Sequence, residues 1–209
     1  MDLHAREQGG LYDDTLNTQR ETFYEIRDKV LDPEVDLRHK LMADSKEFLS
    51  ERITEELGPK KAHSYSDIQT SLKKLSNELK TPVTWSHERG AKTTEVIQSV
   101  ESQITEQLHS AFSEFDHSEV KLDEVYRQAL LGTFDQEWSN HLETMASIKQ
   151  GVQWVSNLGE KPEDAYKERG LEAFKGTLKQ IRNRAVIENL GQIVVGASIL
   201  KSKREREES

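Results

Sequence analysis

The run Asp135–Gly151, DQEWSNHLETMASIKQG, has the densest mixture of side chains able to do chemistry in this 209-residue chain. It sets Asp135, Trp138, His141, Leu142, Met145, Lys149, Gln150 and Gly151 within five helical turns. Residues three apart share one side of a helix, so the His141 imidazole and the Trp138 indole are expected to be neighbours. An imidazole does general acid–base work only beside a nucleophile or carboxylate within hydrogen-bond reach, and no such partner is signalled by the sequence around it. His141 is therefore read as a packed, hydrogen-bonded histidine, and Trp138, Met145 and Ile148 as helix-packing residues. Asp13-Asp14 is a paired carboxylate that exposed helix charge or a capping interaction accounts for more simply. SHERG, at 86–90, begins like the zinc helix H-E-x-x-H but lacks its second histidine. Neither of the glycine-rich phosphate motifs, G-x-x-x-x-G-K-[ST] and G-x-G-x-x-G, occurs. No residue is assigned a catalytic, cofactor-binding or metal-binding role.

The elements that position these residues are helices. Apolar content is 34%, charged content 32%, and there are only four prolines, a composition that suits long helices with thin apolar stripes. Tyr12, Leu16, Phe23, Ile26 and Val30 mark one helix face. Asp32-Pro33 then reads as an N-cap with proline at the first helical position. Leu37, Leu41, Phe48, Leu49 and Ile53 continue to a stop at Gly58-Pro59. A short helix opens at Ser66-Asp67-Ile68, Thr81-Pro82 ends it, and Trp85 follows in a loop. From Thr94 a stripe runs through Val96, Val100, Ile104, Leu108 and Phe112, with a break at 116–118. The next helix carries Val125, Leu130, Phe134, Trp138, Leu142, Met145, Ile148 and Val152. After a turn at Asn157 and Gly159, Pro162 opens a last helix with Tyr166, Leu171, Phe174, Leu178, Ile181 and Ala185. A short loop between two long helices predicts an antiparallel hairpin. The charged end KSKREREES is expected to fray. No alternation of period two is evident, and the fold class is all-α.

A net charge of -9 argues against a nucleic-acid partner, which needs a basic footprint. The absence of cysteine excludes disulfides and thiolate metal sites and fits a reducing compartment. MDLHAREQGG lacks the apolar core of a secretory signal. The longest apolar run, near Ile193–Leu200, is far short of the roughly 20 residues of a membrane span. The expectation from these features is a soluble protein, or one at most peripheral to a membrane.

Asp135-x-x-Trp138-x-x-His141-Leu142-x-x-Met145-x-x-Ile148-Lys149-Gln150-Gly151-Val152 resembles the helical scaffold of SecA, the motor ATPase of bacterial preprotein export. The resemblance continues through KPEDAYKERGLEAF, where Pro162, Tyr166, Lys167 and Phe174 match. Near the N-terminus it includes Tyr12, Asp13, Asp14, Asn17, Gln19, Arg20, Tyr24, Arg27 and Leu31. It covers nearly the whole chain but only the C-terminal part of a SecA.

The resemblance implies a long scaffold helix over 1–57, a helical wing over 58–112, a scaffold and two-helix finger over 113–190, and a charged tail over 191–209. It also implies a finger tip at Ser156, Asn157, Leu158, Gly159, Glu160 and Lys161, facing the SecYEG channel and the translocating polypeptide. The nucleotide-binding folds have no counterpart in the resemblance. Any ATP is expected to bind family domains outside this chain, which itself takes no cofactor. The family presents Arg and a small residue before a bulky tip residue, whereas Val155-Ser156-Asn157 stand here, with Leu158 the nearest bulky side chain. Two readings follow. One is a translocation segment that docks on SecA-type motor domains and SecYEG. The other is a stand-alone helical adaptor that competes with or modulates SecA without ATPase activity. An apolar stripe left without its domain partner is further expected to drive self-association or to require another partner to cover it.

Overall fold

The computed structural model describes residues 2–58, 62–154, 159 and 161–207. Among them the fold is all-α: α1 (Asp2–Leu31), α2 (Leu37–Leu57), α3 (Tyr65–Leu79), α4 (Thr93–Asp116), α5 (Leu122–Val152) and α6 (Pro162–Glu207). The strand-like pairing present among these residues is an isolated antiparallel bridge between His63 and Ala91.

Local chemistry sets the helix starts, in places away from where the sequence pattern put them. Asp36, not Asp32, caps α2, and its carboxylate accepts from the His39 N–H at 2.9 Å. Asp32 instead folds its carboxylate onto the Glu34 N–H at 2.9 Å, so Pro33 sits in a turn rather than at the first helical position. Helix α3 opens at Tyr65 because Ser64 and Asp67 form a reciprocal capping box. Helix α6 opens at Pro162, with Glu163 and Asp164 in its first turn, where negative charge is stabilised.

The chain groups into two compact units, neither a continuous segment. The first joins the residues up to Val35 to Leu130–Ile181. Its helices are α1, the later part of α5 and the earlier part of α6. Facing pairs fix their directions. Phe23 meets Trp138 while Tyr12 meets Lys149, so α1 and α5 are antiparallel. His141 meets Thr177, and Gly170 lies against Met145, so α5 and α6 form an antiparallel hairpin.

The second unit joins Asp36–Ala129 to Arg182–Ser209. Helix α2 packs on α3 and α4 through Leu41, Phe48, Leu49, Ile53, Ile68, Leu72, Val100, Ile104 and Leu108, all buried. Arg182 on α6 pairs with Glu47 and Glu51 of α2. Arg38 bridges Asp116 (2.7 Å) and Asp123 (3.0 Å) and lies over the Phe112 ring. Of the end expected to fray, 201–209, the described residues 201–207 are helical and continue α6. Ile193 and Ala197 are buried, Gly196 packs against Phe115, and Arg204 pairs with Glu114 at 3.1 Å. An apolar face, rather than the charged composition, decides this end.

Candidate functional site: a histidine held between three helices

The inward stripe of α5 is Leu122, Tyr126, Leu130, Phe134, His141, Met145 and Val152, all buried. Two leucine-like positions expected on that stripe lie outside it: Val125 is 59% and Leu142 36% exposed. In α6 the inward positions are Tyr166, Gly170, Phe174, Thr177 and Ile181, while Leu171 is 50% exposed. The helical period selects the seam, and inside the first unit it buries His141 and Gly170 beside the exposed Leu142 and Leu171, and Thr177 beside the half-buried Leu178.

At that seam Gln19 of α1, His141 of α5 and Thr177 of α6 converge, all buried. His141 Nε2 lies 2.8 Å from Gln19 Oε1, and Nδ1 lies 3.1 Å from Thr177 Oγ1. The Gln19 amide nitrogen donates to the Gly170 carbonyl at 3.0 Å. That contact fixes the orientation of the amide, so its oxygen accepts from His141 Nε2–H. In the neutral ring Nδ1 is then an acceptor for the Thr177 hydroxyl, which also lies 3.1 Å from the Ala173 carbonyl. Burial pushes the His141 pKa below its ordinary value, so the ring is neutral at pH 7.

Aromatic and charged groups surround this network. Trp138 stacks on Phe23 with ring centroids 4.5 Å apart, and Phe134 meets Phe23 edge-on at 5.4 Å. Tyr12 and Tyr166 meet edge-on at 4.6 Å, with Lys149 Nζ 5.1 Å from the centre of the Tyr12 ring. Burial first, then the charge of Glu163, raises the Tyr12 pKa. Burial, then Asp13 and Tyr12, raises that of Tyr166, so both phenols stay protonated. Arg27 donates to Asp135 at 3.0 Å.

Of the positions singled out from the sequence, Tyr12, Gln19, Asp135, Trp138, His141, Met145, Lys149 and Tyr166 therefore come together. Asp13, Asp14, Asn17, Arg20, Tyr24, Leu142, Gln150, Gly151 and Lys167 are exposed, and Pro162 opens α6. At the tip Gly159 and Lys161 are exposed, with Gly159 at φ 82, a left-handed conformation that suits glycine. Ser156, Asn157, Leu158 and Glu160 lie outside the described residues.

Gly170 and Thr177 were not assigned a role from the sequence. Their signal was spacing: with Tyr166, Phe174 and Ile181 they fill one helix face at intervals of three and four. A Cβ on Gly170 would lie 2.8 Å from the terminal methyl of Met145 and 3.4 Å from the Gln19 amide nitrogen. The tight contact is with the far end of the Met145 side chain, so the glycine makes room for Met145 against α6. With both ring nitrogens occupied and 1% of His141 exposed, no substrate reaches the imidazole. The arrangement positions three helices rather than performing a reaction. Among the described residues no cluster of three His, Asp or Glu side chains is arranged to hold a metal ion.

Residues 2–193 match the family model for the SecA wing and scaffold domain. The chain belongs to the SecA wing and scaffold family. Its relatives include the protein translocase subunit SecA of Clostridium beijerinckii, 27% identical over 198 residues, and that of a Sulfurovum species, 26% identical over 178 residues. Each of those matches covers 84% of this chain and 20% of the relative. The protein translocase subunit SecA 2 of Geobacillus thermodenitrificans is 26% identical over 191 residues, covering 87% of this chain and 23% of its own length. The chain thus spans about a fifth of the length of the curated relatives it matches. The three-helix network lies wholly inside the SecA wing and scaffold match, whereas α6 runs past its end to Glu207. No helix among the described residues is long and apolar enough to cross a membrane.

Proposed function

We propose that this chain acts in protein translocation as a helical scaffold and two-helix finger. It docks on SecA-type motor domains and on the SecYEG channel, with residues 156–161 facing the moving polypeptide. The observation that carries this reading is the SecA wing and scaffold match over residues 2–193, together with a hairpin braced at its middle by Gln19, His141 and Thr177. A tip that bears on a polypeptide needs a stiff support, and loops carried on rigid elements are where contact functions concentrate. The outward side chains Leu142, Leu171 and Trp154 give this unit apolar contact area. Nucleotide chemistry is assigned to domains outside this chain.

The altered tip sequence, with Val155-Ser156-Asn157 where the resemblance has Arg, a small residue and a bulky one, favours a second reading. In it the chain docks as an adaptor and does not grip polypeptide.

Capture from membrane-containing lysate with tagged protein tests both readings. Recovery of SecY or of motor domains supports a translocation role. Loss of SecY in an Asn157→Gly/Leu158→Gly variant assigns docking to the tip, and its retention assigns docking to the helical surface. Recovery of neither component overturns the proposal.

A further inference from the structure

In the second unit a cavity of about 320 Å³ opens between the end of α2 and the first turns of α3, lined by Glu56, Leu57, His63, Asp67, Ser71 and Lys74. Two polar side chains in it are buried yet keep free hydrogen-bonding capacity. Ser71 is 5% exposed, and its hydroxyl has no partner among the described residues. His63 is 6% exposed, and its Nε2 lies 2.8 Å from Thr93 Oγ1. The Thr93 hydroxyl donates to the Gly58 carbonyl at 2.9 Å. With that proton spent, the threonine oxygen accepts from Nε2–H, and in the neutral ring Nδ1 keeps an acceptor lone pair. No described group bonds to Nδ1. The surroundings hold these groups in place. His63 exchanges two backbone hydrogen bonds with Ala91, at 2.9 and 3.2 Å. A Cβ at Gly90 would lie 2.2 Å from the His63 carbonyl oxygen, so only glycine fits there. Asp67 is fixed by its reciprocal capping box with Ser64.

We propose that this cavity binds a guanidinium group. Charge and hydrogen-bond direction select it. Lys74 pairs with Glu56 at 2.8 Å, and Glu56 also faces Arg52 at 3.4 Å, so these charges are already matched. Asp67 therefore sets the sign of the cavity. One of its oxygens accepts from the Ser64 N–H at 3.4 Å, and the other has no described partner. An anion would meet that carboxylate and a ring nitrogen that only accepts. An apolar ligand would leave Ser71 and Nδ1 unpaired in a buried place, which costs free energy. A guanidinium carries five N–H donors in a planar fork, enough to serve the Asp67 oxygen, Nδ1 and the Ser71 oxygen together. It is also more weakly hydrated than an ammonium, so it loses less on entering beside the buried Leu57. Because the acceptors are held before binding, little ordering is needed when the ligand arrives.

Imidazole nitrogen NMR signals of the full chain, followed while methylguanidinium chloride is added at constant pH and ionic strength, test this. His63→Gln assigns the signals of His63. The His63 Nδ1 signal is expected to move saturably, with a Kd of about 1 mM, a strength open to so small a ligand. Methylammonium should bind about fivefold more weakly, and acetate should leave the signal where it is. Asp67→Asn, which keeps an acceptor for the Ser64 N–H, and Ser71→Ala should each weaken binding about fivefold to tenfold with unchanged thermal melts. N-acetylarginine methylamide separates the two sources of the group. Binding tighter than that of methylguanidinium assigns the cavity to an arginine side chain, and weaker binding assigns it to a free small molecule. A His63 signal that shows no saturable shift overturns the proposal and leaves the cavity to water. So do equal affinities in the wild type, Asp67→Asn and Ser71→Ala, or a preference for methylammonium or acetate.

Discussion

The Gln19 side chain accepts a hydrogen bond from His141 at 2.8 Å, across 122 residues of sequence, while its amide nitrogen holds the backbone of Gly170. One side chain from α1 thus touches both arms of the α5–α6 hairpin. Replacing Gln19 with leucine keeps the bulk but strands a buried imidazole N–H. The expected cost is about 1–3 kcal/mol, read from urea unfolding midpoints. Gln19→Leu combined with His141→Leu should cost less than the sum of the two single changes, because removing both partners leaves no such orphan. Strict additivity would mean that the two side chains are energetically independent.

Acid sensitivity follows from the same burial. The folded-state pKa of His141 is depressed, with desolvation as the cause. The unfolded chain takes up the proton first, near the ordinary value of about 6.5. Between that value and the lower folded pKa the unfolded state holds more protons, so stability rises with pH across the window. The contribution is full above the unfolded pKa and is lost as pH falls through the folded one. Thermal melts between about pH 7.5 and pH 5 should show a steeper decline in the wild type than in His141→Gln. Identical slopes would place the acid sensitivity on other groups.

Two glycines should respond in opposite ways to alanine. Gly132, on the exposed side of α5, has open space where a Cβ would go. Gly132→Ala is expected to stabilise by about 0.5–1 kcal/mol through the unfolded chain's lost freedom. A Cβ on Gly191 would lie 2.3 Å from the Leu79 carbonyl oxygen. Because the obstacle is backbone, Gly191→Ala is expected to cost about 1–3 kcal/mol. Urea midpoints of the two variants on either side of the wild type would bear this out, and a neutral Gly191→Ala would contradict it.

The three tryptophans are set apart by exposure, and this gives a probe of the hairpin end. Trp85 is buried, Trp138 is stacked on Phe23, and Trp154 is 75% exposed two residues after the end of α5. Iodide should quench Trp154 preferentially, and Trp154→Phe should remove most of the quenchable emission. If the tip engages a partner, the Trp154 emission should shift to shorter wavelength on binding. An unchanged spectrum on a complex shown to form would place the contact elsewhere.

The sequence by itself determined the helical class, the hairpin after Gly151, and the family, because helical periodicity, capping residues and the Trp138–Gly151 pattern are local signals. It did not determine which of two adjacent side chains enters a seam. Leu142 is more apolar than His141, yet His141 is buried and Leu142 is exposed. Burial at this position depends on Gln19 and Thr177, which lie far off in the chain and which alone satisfy the ring nitrogens. Without them the histidine would be costly to bury, and no local window contains them. The same holds for α6 beyond residue 191. Its charged end from Lys201 read as a tail, yet the helix continues to Glu207, with Ile193 and Ala197 buried, Gly196 against Phe115 and Arg204 paired with Glu114. Local sequence sets which elements form. Contacts between residues distant in sequence set which faces close, because a side chain's burial depends on partners that only the tertiary fold supplies.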